Sequence, residues 1–369
     1  MPFLALTIAL LTIGLIMLFS ATYPYAYYNN NHDSYYYFTR QFIFVVVGLV
    51  AMFIMSKINY KWLMVANLPY LAVTLICLVI VLFYHTNIPG ADGSSFKRFI
   101  PLPGGLTFQP SDFAKFAIIL LFAVYISKYY NRMKTFKYGI LYPLGIIVMF
   151  CGLIFLEHHM SCTILMFLIG ATMMWVGGSD WKLFAFGAAV LIIVVVIVIS
   201  FPELLESYAG DRIKAWLDKD YDPTGSRWQT NNSLYAIGSG GFFGVGLGNS
   251  KQKYLYVSEP QNDFIFSIVC EELGFIGAAA IIILFGALVA RGFYIAARCH
   301  DKFGSLLIIG IVSQIGLQVA LNIMVVTDTI PNTGIALPFF SYGGTAMLVL
   351  LFEIGVVLSV SRKASQKKV

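Results

Sequence analysis

Residues 183–201 read LFAFGAAVLIIVVVIVISF, 19 positions without a charged side chain. A helix that is apolar on every face belongs inside a large core or inside a membrane. A hydrocarbon layer takes about 20 such residues to cross. Composition decides between the two. Of the 369 residues, 59% are hydrophobic and 11% charged, and the mean hydropathy is +0.80. Soluble domains carry about 25% charged residues, so the stretch reads as a membrane span.

The same reading extends outward in both directions. Apolar runs at 3–22, 41–56, 63–84, 112–128, 138–156 and 162–178 precede it, and runs at 264–290, 303–326 and 335–360 follow. The expectation is an all-α polytopic membrane protein of ten transmembrane helices, a single domain over 1–369, with one long loop, 202–262, after helix seven. No Lys or Arg precedes the run from Phe3 to Ala21, and further spans follow at once. That run therefore reads as the first transmembrane helix rather than as a signal peptide.

Charge gives the orientation. Of 24 basic residues, 14 fall in alternate short connections or in the tail: Lys57 and Lys61, four between Lys128 and Lys137, Lys182, three between Arg291 and Lys302, and four between Arg362 and Lys368. By the positive-inside rule these connections face the cytoplasm. Both termini and the basic tail 361–369 are then inside, and 202–262 is outside. The net charge of +6 follows from this topology. The long loop is slightly acidic and offers no basic face, so nucleic acid is excluded as a partner.

Cys77, Cys151, Cys162 and Cys270 lie in apolar runs and Cys299 in a short basic loop, with none in 202–262. They read as small buried hydrophobes rather than a disulfide framework. Within the loop, Leu204, Leu205, Tyr208, Trp216 and Leu217 form an apolar stripe on a short helix. That helix either lies on the bilayer or packs onto the bundle. The glycines from Gly238 to Gly248 follow no strand, and no Lys-Ser or Lys-Thr pair closes them. They suit tight turns or close helix approach rather than a nucleotide P-loop.

An ionisable residue inside a span costs roughly 2.5–3.5 kcal/mol on insertion scales and usually faces a cavity or a partner. Few are present: Asp112, Lys115, Glu157, His158, His159, Asp263, Glu271, Glu272 and Glu353. Most belong to the outer half. Lys115 and Asp263, at one depth on different helices, either flank one cavity or form part of a structural ion pair. His158 and His159 point apart on a helix and lack a third ligand, which makes a poor metal site. Glu271 shares a helix face with Asp263 and either pairs with a cation or supports packing. Glu353 has no partner legible in the sequence.

Three segments carry a resemblance. The first is Lys97-Arg98-Phe99-Ile100 with Gln109-Pro110-Ser111-Asp112-Phe113-Ala114-Lys115. The second runs from Phe243-Gly244-Val245-Gly246-Leu247-Gly248-Asn249-Ser250-Lys251-Gln252-Lys253-Tyr254 to Glu259-Pro260, Asp263-Phe264-Ile265-Phe266 and Glu271-Glu272-Leu273-Gly274. The third is Pro331-Asn332-Thr333-Gly334 through Ser341-Tyr342-Gly343-Gly344-Thr345. Together with the ten-span layout they resemble the SEDS family (shape, elongation, division and sporulation), and the run Gly248 to Tyr254 is similar to its FtsW/SpoVE branch rather than to RodA. The resemblance implies a peptidoglycan glycosyltransferase that polymerises lipid II at the outer face of the bacterial cytoplasmic membrane, in septal division or in sporulation. It also implies a class B penicillin-binding protein transpeptidase as partner, alongside other division proteins. The family's essential Asp maps to Asp263. The sequence departs from the family at Gln261 and Asn262, where His and Thr are usual, at Ala336, where Pro is common, and at Glu157 to Ser161, where Glu-Pro-Asp-x-Gly is usual.

Such a reaction needs a base for the attacking hydroxyl and cations for the departing diphosphate. Asp263 is the candidate base, and partial burial would raise its basicity. A diphosphate leaves without a second carboxyl to protonate it. Arg98 and Lys115 are the candidate diphosphate contacts. A divalent cation, Mg or Mn, held partly by Asp263, would do the same work. Gln109, Ser111, Lys253, Glu259 and Ser341 are candidates for the cavity wall. The competing readings are a lipid II flippase, which intramembrane charges and broken helices also suit, and a scaffold that recruits division proteins.

Overall fold

The computed structural model describes residues 2–30, 32–83, 98–102, 106–200, 208–222, 225 and 227–366. Leu204 and Leu205 of the apolar stripe, Lys97, and the tail residues Lys367 and Lys368 lie outside the described residues. Twelve α-helices, a 3-10 turn at Tyr130–Arg132, a π-helical turn at Lys137–Leu141 and one small hairpin are the regular elements of the described chain. Helices α1 (Pro2–Asn29), α2 (Tyr36–Lys57) and α3 (Trp62–Phe83) come first. The antiparallel strands β1 (Ile100–Leu102) and β2 (Leu106–Phe108) follow, with Pro101 opposite Thr107. Next are α4 (Pro110–Tyr129), α5 (Tyr142–Leu156), α6 (Met160–Val176) and α7 (Trp181–Ser200). The long connection carries α8 (Tyr208–Leu217) and α9 (Trp228–Gly240), and α10 (Ile265–Ala297), α11 (Lys302–Val326) and α12 (Gly344–Gln366) complete the chain.

Among the described residues, eight helical runs are long and apolar enough to cross a membrane: α1 to α4, the 20-residue run Lys137–Leu156 in which a π-helical turn leads into α5, and α10 to α12. The remaining two expected runs are helical as α6, which is shorter at 17 residues, and α7. Helices α4 and α11 are covered on most sides, α4 by α3, α6 and α11, and α11 by α10, α4 and α6. Helix α12 lies along α2. The outer faces of α2 and α3 carry exposed Phe42, Val50, Phe53, Val65, Leu68 and Phe83. Exposed apolar faces around a buried centre are what a lipid solvent requires.

Several boundaries differ from the sequence reading, with α1 running on to Asn29 and α2 starting at Tyr36, and two of the differences have a local reason. The last span was expected from 335, but α12 begins at Gly344. The segment before it is irregular, with Gly334 and Phe339 at φ of 73° and 66°. Side-chain bonds fix this segment: the Ser341 hydroxyl accepts from the Leu337 N–H at 2.8 Å. The eighth span was expected at 264–290, but α10 extends to Ala297 across a break at Gly274, where φ is 67°. The break frees backbone groups that must find partners elsewhere. The loop after α9 supplies them. Val245 and Gly246 donate to the carbonyls of Glu271 and Glu272 at 3.0 and 3.1 Å, and Phe275 and Ile276 donate to Gly241 and Phe242 at 2.9 and 3.2 Å. A Cβ on Gly244 would lie 2.2 Å from the Glu272 carbonyl oxygen, so only glycine permits this approach. The glycines thus serve close backbone contact, and residues 228–246 pack against α10 instead of forming a free loop.

Of that stripe, Trp216 on α8 packs onto the bundle, whereas Leu217 is exposed. The Trp216 indole donates to the Asp328 carbonyl at 3.0 Å, and Arg227 pairs with the Asp328 carboxylate at 2.7 Å. All five cysteines are free thiols.

Candidate functional site

The site gathers where α10 and α11 end away from the basic connections. Helix α11 rises from Lys302, and Asn322 lies 20 residues along it, about 30 Å at 1.5 Å per residue. That is the thickness of the hydrocarbon layer. At this height the Asn322 amide donates to the carbonyls of Asp263, at 2.7 Å, and Ile335, at 2.6 Å. The Ser341 hydroxyl donates to the Asn262 carbonyl at 2.7 Å, and the Tyr342 N–H donates to the Gln261 carbonyl at 2.7 Å. Residues 261–263 are therefore stitched to 335–342, and the Asp263 side chain is held at the mouth of α10.

A Cβ built on Gly334 would lie 2.9 Å from Asp263 Oδ2 and 3.6 Å from Ser161 Oγ. The carboxylate therefore faces a bare α-carbon and the first turn of α6. Burial pushes Asp263 up from its ordinary 3.8 to about 6. Arg212 pulls it back, Glu259 adds to the rise, and Arg98 pulls it back again. Arg212 reaches the site by donating to the Asn332 carbonyl at 2.8 Å. The sequence reading did not single out Arg212, because basic residues in long loops carry no topological signal.

The wall beside Asp263 is the turn from α5 to α6. Arg98 donates to the His158 carbonyl there. Glu157 is fully buried, and neither of its carboxyl oxygens has a hydrogen-bond partner among the described residues. Burial pushes this carboxyl up from 4.5 to about 8, against a lowering by Arg98. His159 lies 3.5 Å from the Gln109 amide and 3.4 Å from the Ser111 hydroxyl, which themselves bond at 3.1 Å. Burial, then Arg98 and Lys115, hold its ring well below the ordinary range and neutral.

Lys115 pairs with Asp112 at 2.9 Å, and Asp112 accepts from Thr345 at 2.9 Å. Lys115 also lines a cavity of about 40 Å³ with Gln314, Gln318 and Ser341. That space holds water-sized groups and is far too small for a sugar. Deeper still, Glu353 receives both its hydrogen bonds from the Gln314 amide, at 3.3 and 3.0 Å. Gln314 is the partner that the sequence did not disclose.

One expected wall residue, Lys253, is committed elsewhere. Lys253 is buried in an ion pair with Glu272 at 2.9 Å, and it also donates to Ser20 at 3.2 Å and the Gly248 carbonyl at 2.7 Å. Its ammonium has three acceptor groups around it and is turned to α1 and α10. Glu271 takes the packing role rather than pairing with a cation: it accepts from Ser250 and from the N–H groups of Lys251 and Gln252. Glu259 is exposed and accepts from the Asn262 amide at 2.8 Å.

Among the described residues no group of three or more His, Cys, Asp and Glu is placed to hold an ion. Asp263 instead lies within electrostatic reach of two guanidinium groups, Arg212 and Arg98, which supply the positive charge locally.

Residues 1–366 match the family model described as cell cycle protein, covering FtsW, RodA and SpoVE. Stage V sporulation protein E of Bacillus subtilis (strain 168) is 40% identical over 362 residues, covering 97% of this chain and 95% of the relative. The probable peptidoglycan glycosyltransferase FtsW of Trichlorobacter lovleyi is 37% identical over 360 residues, covering 97% and 92%. Among solved structures, a chain of "Structural coordination of polymerization and crosslinking by a peptidoglycan synthase complex" superposes with a TM-score of 0.79 at 24% identity, over 99% of this chain and 98% of that one. Rod shape determining protein RodA of Thermus thermophilus superposes at 0.68 and 23% identity, over 98% and 96%. At these identities the two structures speak for the fold.

Proposed function

The chain belongs to the family of cell cycle proteins that includes FtsW, RodA and SpoVE, and from that premise we infer its reaction, the place of the reaction and the residues that carry it. It is a multi-pass membrane protein and a peptidoglycan glycosyltransferase. Its substrate is lipid II, and it joins the 4-hydroxyl of one disaccharide to the anomeric carbon of another, with a lipid diphosphate leaving. The basic connections lie in the cytoplasm and the site faces outward.

The observation that carries this reading is the setting of Asp263. A carboxylate at the membrane boundary, backed by Gly334 and raised to about 6, is a stronger base than an exposed Asp and is still ionised at neutral pH. It takes the hydroxyl proton as the acceptor oxygen attacks. The α-linked donor gives a β link, so the centre inverts. Arg98 and Arg212 offset charge on the diphosphate, and Lys115, tied to Asp112, supports them from below. A class B penicillin-binding protein is the partner that cross-links the strands, with other division proteins around it. The work is septal or sporulation wall synthesis, in keeping with the FtsW and stage V sporulation relatives.

The test is polymer formation from purified lipid II with the partner transpeptidase present, for wild type and for Asp263→Asn. Wild type should make glycan strands, and the folded, partner-binding variant should make none. Equal polymerisation by both removes Asp263 as the base. Movement of lipid II across vesicles without polymerisation by either would establish the flippase reading instead.

A further inference from the structure

Four glutamates buried in the outer and middle parts of this chain invite comparison. Glu271 is satisfied by Ser250, Lys251 and Gln252, Glu272 by Lys253 and Ser20, and Glu353 by Gln314. Glu157 alone of the four has neither oxygen bonded among the described residues, though it is as deeply buried as the others. Buried polar groups are nearly always paired, and an exception calls for a reason. Packing does not supply one, because an apolar residue of the same shape would fill the space without the desolvation penalty.

The location supplies one. Glu157 opens the turn whose other end, Ser161, stands beside Asp263 and Gly334. The two ends are four chain steps apart, so their backbones lie within about 14 Å. Arg98 bonds the middle of the turn at the His158 carbonyl and is within electrostatic reach of both Glu157 and Asp263. A diphosphate drawn to Arg98 presents oxygens that only accept hydrogen bonds. An ionised carboxyl beside it would repel it, whereas a neutral one has an O–H to give.

We propose that Glu157 is a second carboxyl of the site, held neutral, whose O–H donates a hydrogen bond to a diphosphate oxygen of the lipid-linked donor. The proton stays on Glu157 throughout, and no bond at this residue is made or broken. The proposal rests on the glycosyltransferase reading. The rise of this carboxyl to about 8 agrees with a neutral group at working pH. The charged and titratable groups around it are Arg98 from the segment before β1, His159 in the turn, Cys162 on α6, and the Asp112–Lys115 pair on α4 behind His159 and Cys162. The diphosphate's own negative charge holds the proton on Glu157 more firmly, so substrate entry reinforces the arrangement.

The experiment compares wild type, Glu157→Gln and Glu157→Leu, each with the partner transpeptidase, in lipid II polymerisation. A hydrogen bond to a charged acceptor is worth roughly a tenfold to hundredfold change, which Glu157→Leu should lose in kcat/KM. Glu157→Gln keeps a neutral donor and should recover most of that loss. Glu157→Gln falling as low as Glu157→Leu would overturn the proposal, because the carboxyl would then act through its charge or by giving up its proton. Full activity in Glu157→Leu would overturn it by removing the contact. Infrared spectroscopy keeps the question open to test if the Leu variant fails to fold. Wild type at neutral pH should show a protonated-carboxylic-acid band that is absent in Glu157→Gln and that shifts when lipid II is added. An unshifted or missing band sinks the proposal. Failure of wild type itself to polymerise sinks the glycosyltransferase reading instead.

Discussion

Replacing Asp263 with Asn should make the protein more stable at neutral pH while it abolishes polymerisation. The carboxyl titrates at about 6 in the folded chain against an ordinary 3.8, so the fold disfavours its ionised form. At about 1.4 kcal/mol for each tenfold change in acidity, the ionised side chain costs at most about 3 kcal/mol. The sign follows from linkage. Below the unfolded value both states hold the proton and there is no penalty. Between 3.8 and about 6 the unfolded chain ionises first, and stability falls as pH rises. Above about 6 both states are ionised and the penalty is constant. The neutral amide of Asn escapes it and keeps the size of the side chain. The assay is unfolding in detergent, for wild type and Asp263→Asn, at about pH 4 and about pH 8. The variant should gain up to about 3 kcal/mol at the higher pH and little or nothing at the lower. A variant equally or less stable at the higher pH would refute the reasoning, because Asp263 would then be a structural carboxylate held by Arg212 and Arg98.

Two further substitutions probe the supports of the site. Lys253→Met strands the Glu272 carboxylate, whose pair is 4% and 0% exposed. It should cost about 3–5 kcal/mol in the same unfolding assay, with much of that restored by adding Glu272→Gln; an additive double variant would contradict the pairing. Gly334→Ala places a Cβ 2.9 Å from Asp263 Oδ2 at a φ of 73°. It should lower polymerisation at least about tenfold while stability falls by only about 1 kcal/mol, and unchanged activity would mean that Asp263 does not face Gly334 during the reaction.

The run at 183–201 and its counterparts were legible because lipid demands an apolar surface along a whole helix, which composition records directly. Asp263 was legible for a related reason: it is the last polar residue before an apolar run. Partners across the chain were not. The clasp on Lys253 joins α1 to α10 through Ser20 and Glu272, and no short spacing encodes it. The residues from Ile335 to Phe340 are apolar enough to pass for the start of a helix, yet Pro338 and the left-handed Phe339 keep them irregular so that Ser341 and Tyr342 can hold 261–262. Glycine spacing alone signalled close approach without revealing that the partner was a break in α10 at Gly274.

The central claim is that the ionised carboxylate of Asp263 is the base. The direct measurement is the initial rate of lipid II polymerisation against pH, taken with saturating substrate and the partner transpeptidase. The rate should fall tenfold for each pH unit on the acid side of an inflection near 6, the value set by burial of this carboxyl. A rate that stays flat through that range, or an unchanged acid limb in a still-active Asp263→Asn, would contradict it.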